Sequence, residues 1–337
     1  MTRPGTSRES AAGLLFRQLR SIASSTATEL LETPAVLLLT LCGVVATALI
    51  PVLQLHLFDE PGRLPRDGGL AYQLVIGLVL AVVSASYSFH DEIENGTVSA
   101  ALAKPVGRYA FLVGKWLGVL AVTFRFWFCL LATTMLAERI TERFVSVGAL
   151  RYVTDSTTQF VILIVPLLSL LTAGVLHNRR RLRFCKTASL IMTVLLALAL
   201  FVSFFFTRET VFRPSFSNTN LRIIPVSLLI LAALAIYSAI ATALATRLRS
   251  APALVISFLL LGLGLSADTL LSPAMPALVR WPAYLLPNLQ TFWMCDSLAN
   301  GGALATGYLF NALVYALSLC MLALGAGMLA FRNRDIG

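Results

Sequence analysis

Long apolar runs separated by short polar stretches dominate the chain, at roughly residues 34–56, 70–89, 111–136, 157–176, 187–206, 223–246, 252–271 and 304–330. A hydrocarbon core about 30 Å thick takes about 20 helical residues to cross, so each run predicts a transmembrane helix. The period-two alternation of a membrane barrel is missing. The expected fold is therefore all-α and polytopic, with about eight transmembrane helices in a membrane domain over 34–331. Ahead of it, Leu15, Leu19, Ile22 and Leu30 recur at helical spacing beside Arg17, Gln18, Arg20 and Glu29. That pattern predicts an amphipathic helix at the membrane surface within an N-terminal part, 1–33. A signal peptide is not expected, because the first apolar run is too long for one and no small-residue cleavage pattern follows it.

Composition agrees. Of 337 residues, 58% are hydrophobic and 12% charged, against about 25% charged in soluble domains. A net charge of +10 could suggest nucleic acid, but the chain leaves no room for the folded basic domain that such binding needs. Topology explains the charge better. With both termini placed inside, the inner segments carry 16 Lys and Arg and the outer ones 9, so the termini, the 90–110 loop and the 332–337 tail are expected to be cytoplasmic. Five scattered cysteines and three separated histidines have no metal-ligand or redox spacing, so no metal site is expected.

The longest polar interruption in the first half is Phe89–Gly118, FHDEIENGTVSAALAKPVGRYAFLVGKWLG. Thr97, after Asn95-Gly96, is placed to cap a short helix VSAALA that Lys104-Pro105 stops, and Gly114 and Gly118 then allow close helix approach. A merely solvated loop would need none of these features. The succession acid-x-x-Glu-x-Gly-Thr, Lys-Pro-x-x-Arg and Gly-Lys-x-x-Gly resembles the signature loop of ABC type-2 permeases. The matching positions are Glu92, Glu94, Gly96, Thr97, Lys104, Pro105, Arg108, Gly114, Lys115 and Gly118. The end, Phe331-Arg332-Asn333-Arg334-Asp335-Ile336, is similar to the family's Phe-x-Arg-Arg-Asp-hydrophobic tail, with Asn333 in place of one arginine.

This resemblance implies a permease subunit of a bacterial inner-membrane exporter, with a coupling helix in the 90–110 loop docking on a separate ATPase. It also implies a second copy or a similar permease as partner. ATP and magnesium would belong to the partner ATPase, and this chain would hold no cofactor and catalyse nothing. The nearest approach to a phosphate-binding loop, Gly107 to Gly114-Lys115-Trp116, has the wrong spacing and lacks the hydroxyl residue, which agrees. The implied core has six helices, so the pair 157–206 reads as an insertion. A six-span alternative would lay that pair partly at the interface. The Pro- and aromatic-rich stretch 272–303 resembles the short external or re-entrant helices before the family's last span.

Two ionisable residues lie inside apolar runs, Arg125 and Asp268, and such charges commonly face a partner or a wet cavity. Both are candidate pathway residues. Arg125 is expected to face the interior near an acid or several carbonyls, with Asp268 a candidate partner; an internal pair or snorkelling to the interface is the structural alternative. A secondary transporter, or another polytopic protein without an ATPase, would call for an internal repeat or an interior acid/base cluster, and neither is found. Lipid, polysaccharide, peptide, drug and metal-maturation substrates all fit an apolar interior with few polar groups.

Overall fold

The computed structural model of the protein describes residues 11–53, 62–94, 107–146, 149–207, 211–215, 219–270, 287–299 and 304–332. Helix α1 (Ala11–Glu32) leads into α2 (Pro34–Leu53), and α3 (Arg63–Glu94) and α4 (Arg108–Ile140) follow. A two-stranded antiparallel hairpin, β1 (Thr141–Ser146) and β2 (Ala149–Thr154), pairs Thr141 with Thr154 and Ser146 with Ala149. Next come α5 (Ser156–Arg180), α6 (Phe184–Ser203), α7 (Ile223–Ala245), α8 (Ser250–Leu265) and the single turn α9 (Ala267–Leu270). A 3-10 turn (Gln290–Phe292), α10 (Cys295–Ala299) and α11 (Thr306–Arg332) complete the described chain.

Local chemistry sets several boundaries. Thr33 closes α1, its hydroxyl donating to Leu30 O at 2.6 Å, and Pro34 opens α2 where no amide is needed. Asp155 caps α5 by accepting from the Thr158 amide at 2.9 Å. At the other end of α5, Arg181 adopts φ 52° and its amide donates to His177 O, ending the helix so that α6 can turn back.

The protein is an all-α polytopic membrane protein in which seven described helices are long and apolar enough to span: α2 to α7 and α11. The hairpin is a small addition that the apolar pattern did not predict. The run expected as a span over 252–271 is instead the 16-residue α8 and then α9. Its end is fixed by the segment that follows: the Leu289 amide donates to Gly264 O at 3.0 Å and the Gln290 side-chain amide to Leu265 O at 2.6 Å. Carbonyls that would have carried the helix onward are thereby taken.

The predicted amphipathic helix exists as α1, with Leu14, Leu15 and Phe16 exposed near its start, and it docks along α4. The core is built by α3, α4 and α7. Of the apolar windows of α4 and α7, 72% and 67% are buried, against 28% for α5 and 22% for α6. Close approach within the core depends on glycine: a Cβ on Gly77 would meet Leu234 Cδ1 at 2.7 Å, and one on Gly69 would meet the Thr134 hydroxyl at 2.4 Å.

Candidate functional site

The α3–α4 hairpin carries the polar interruption. Helix α3 continues through Glu94 and α4 begins at Arg108, so Glu92, Glu94 and Arg108 belong to helix ends instead of to the loop that the apolar pattern placed from residue 90. The side chains of these three, and all of Gly96, Thr97, Lys104 and Pro105 with the short capped helix expected there, lie outside the described residues.

Lys115 is 1% exposed, and its ammonium donates to Ser88 O on α3 at 2.8 Å. It also sits 5.7 Å from the centroid of Phe111, whose ring meets Phe89 edge-on at 6.3 Å. A buried lysine is costly unless its donors are used, so these contacts fasten the root of the hairpin. On the outer side of α4, Gly114 and Gly118 form two notches for α1. A Cβ at Gly114 would lie 2.8 Å from Ile22 Cβ, and one at Gly118 would lie 2.6 Å from Thr26 Cβ and 3.0 Å from Ala23 O. Between them Trp116 reaches the other way, its indole N–H donating to Ser238 Oγ on α7 at 3.0 Å.

Nearer the far ends of α3 and α4, a second polar group ties the same three helices. Ser227 Oγ on α7 donates to Gln73 Oε1 at 2.6 Å, Gln73 Nε2 donates to Thr134 Oγ1 at 3.3 Å, and the Trp127 indole donates to Ser227 O at 2.8 Å. At the far end Arg66 donates to Asp67 at 3.0 Å and faces Glu138 at 3.7 Å, while Asn220 donates to Glu138 at 3.0 Å. Next to them Arg139 forms an ion pair with Asp155 at 3.0 Å, both buried, and donates to the carbonyls of Ser203 and Phe206. One side chain thus joins the ends of α4, α5 and α6. None of these bonds was read from sequence. Gln73, a lone amide within a predicted span, was a usable signal; Arg139 was counted only as a loop cation.

Arg125 is half-buried where α4 meets α6, and its Nε donates to Thr193 Oγ1 at 2.8 Å. Its Nη1 is buried without a hydrogen-bond partner. The expected Asp268 partner is not there: Asp268 is exposed on α9 and accepts from Asn288 at 2.7 Å. Helix α8 ends before Asp268, which removes that carboxylate from the apolar run. Asp268 instead lines an open cavity of about 570 Å³ with Asn288, Gln290, Thr291, Asp296 and Tyr308. Beside it Cys295 is buried, and burial, with Asp67 and Asp296 adding to it, pushes the thiol up to about 12, so it stays protonated near neutrality. Of the Pro/aromatic stretch expected over 272–303, residues 287–299 are described; they form the 3-10 turn, whose start is bonded to the end of α8, and α10, which packs against α3.

Polar side chains thus tie α3, α4 and α7 at three levels, one at the root of the hairpin and two toward the opposite end. Among the described residues, no group of three or more His, Cys, Asp or Glu could hold a metal ion. No curated protein and no solved structure matches the chain. A family model does, over residues 10–177, and its description is ABC-2 family transporter protein.

Proposed function

Because the chain belongs to the ABC-2 transporter family, and so is a membrane permease of an ABC transporter, we propose that it couples ATP hydrolysis in a separate ATPase chain to export. The ATPase docks on the 90–108 segment, with Glu92, Glu94, Gly96, Thr97, Lys104, Pro105 and Arg108 as the docking and shaping residues. Both termini and this segment lie on the cytoplasmic side of a bacterial inner membrane, and the permease works as a pair with a second copy or a similar subunit. One observation carries the reading: the segment's two flanking helices are locked at their root by the buried Lys115–Ser88 bond and continue as one packed unit to the opposite face. A push on the segment therefore moves the core instead of bending a loose connection. Arg125, with a buried donor free inside the membrane, is the candidate pathway contact.

The docking is tested by replacing Glu94 and Gly96 together with arginine in the purified complex. Loss of ATPase association and of stimulated hydrolysis is expected; retention of both overturns the assignment. Single cysteines at positions 180 and 212, in a cysteine-free background, should react with an impermeant reagent from opposite faces. Labelling from one face overturns the topology.

A further inference from the structure

The turn joining α5 and α6 carries more positive charge than any other short stretch of the chain: Arg179, Arg180, Arg181, Arg183 and Lys186. Its acid is Glu32, which forms an ion pair with Arg183. Among the described residues no acid pairs with the other four. The turn is nevertheless well defined. Arg181 holds its left-handed conformation, and His177 Nδ1 donates to Leu182 O at 2.6 Å, which requires the proton on Nδ1 because a carbonyl can only accept. Arg179, Arg180 and Arg181 are exposed, and so is the apolar Leu182 among them.

The apolar surface leading to this turn is ordered as well. On α5 the exposed stripe includes Leu167, Leu171 and Val175, and four residues after Val175, on the same face, stands Arg179. On α6 the exposed stripe runs through Leu198, Val194 and Leu190, and four residues before Leu190 stands Lys186. Each stripe suits an acyl chain and ends on a cation at headgroup depth. A soluble acidic partner would have no use for the stripes, and a neutral lipid would leave the cations unanswered.

We propose that the inner end of the α5–α6 pair is a binding site for an anionic phospholipid. Its phosphate is held by the unpaired arginines and Lys186, and its chains lie along the exposed faces of the two helices. Cations beside a membrane surface each favour anionic lipid by about fivefold. The inner-leaflet placement rests on the orientation proposed above; the binding itself does not.

The test uses purified full-length protein in neutral detergent, titrated with phosphatidylglycerol or phosphatidylcholine of matched chains and read by native mass spectrometry. The wild type should prefer phosphatidylglycerol. The triple variant Arg179→Gln, Arg180→Gln, Lys186→Gln, which leaves the Arg183–Glu32 pair intact, should lose that preference by about fivefold per cation. A control with Arg3, Arg8 and Arg249 changed to Gln should keep it. Glycerol phosphate at high excess should not displace the lipid, since it lacks the chains. An unchanged preference in the triple variant, an equal loss in the control, or displacement by glycerol phosphate would each overturn the site. The ATPase is absent from this measurement, so its result is independent of the coupling reading.

Discussion

The α3–α4–α7 unit and the α5–α6 pair are both made of membrane-length helices, yet they are held in place by different means. In the unit, glycine notches bring backbones together and buried polar groups cross-link them at three levels. In the pair, most of the apolar surface faces outward, a narrow apolar strip packs on α2 and α4, and the polar ties lie at its ends and at one interior point. Arg139 gathers the outer ends, the Arg183–Glu32 pair fastens the inner turn to α1, and Arg125 meets Thr193 between them. Lipid tails are as apolar as leucine, so apolar area alone does not pull membrane helices together; small residues and hydrogen bonds do. The unit is thereby specified by its own contacts, while the pair is pinned onto it.

Substitutions can break this contrast, most strongly where a backbone is in the way. Gly118→Leu would drive a side chain into Thr26 and the Ala23 carbonyl, and should cost about 3 kcal/mol or release α1 altogether. Thermal unfolding in detergent and protease access to α1 would show it; a wild-type midpoint would refute the notch. Lys115→Met keeps length but removes the donor to Ser88 O, with an expected loss of about 2 kcal/mol. If the variant also keeps ATPase stimulation, the root of the hairpin has no part in coupling. Gln73→Leu leaves Ser227 without its acceptor, and about 1 kcal/mol should go, the scale of hydrogen bonds between membrane helices. Against these, Leu198→Ala on the exposed face of α6 should change stability by no more than about 0.5 kcal/mol. A large loss there would mean that the face is covered by protein and not by lipid.

The same contrast explains what could be read from the sequence. Apolar length alone marked α5 and α6 as helices long enough to span, because little besides apolarity specifies their surfaces. It placed the ends of α3 and α4 poorly, since charged residues such as Arg66 and Arg139 stay helical where partners receive them. It overran α8, whose stop is made by Leu289 and Gln290, residues more than twenty positions away. Thr141–Thr154 went unseen as a hairpin because the apolar runs on either side dominated the pattern. The Arg125–Asp268 pairing failed for a related reason: two charges in apolar runs are natural partners in one dimension, and only the folded chain shows that Arg125 is turned toward α6. The loop residues Gly96, Thr97, Lys104 and Pro105 lie outside the described residues, and their docking role rests on family resemblance alone.

The bond between Gln73 and Ser227 also bears on how the chain is made. Gln73 meets Thr134 across 61 residues of sequence and Ser227 across 154. Synthesis at about 5–20 residues per second separates Gln73 from Ser227 by about 8 to 30 seconds. Thr134 can answer the Gln73 amide N–H once α4 is made, but until α7 arrives the Gln73 Oε1 lacks the Ser227 donor. The arrival of α7 is what seals the interior, so nascent chains halted before residue 220 should remain open to quality-control proteases while those extended past 245 escape them.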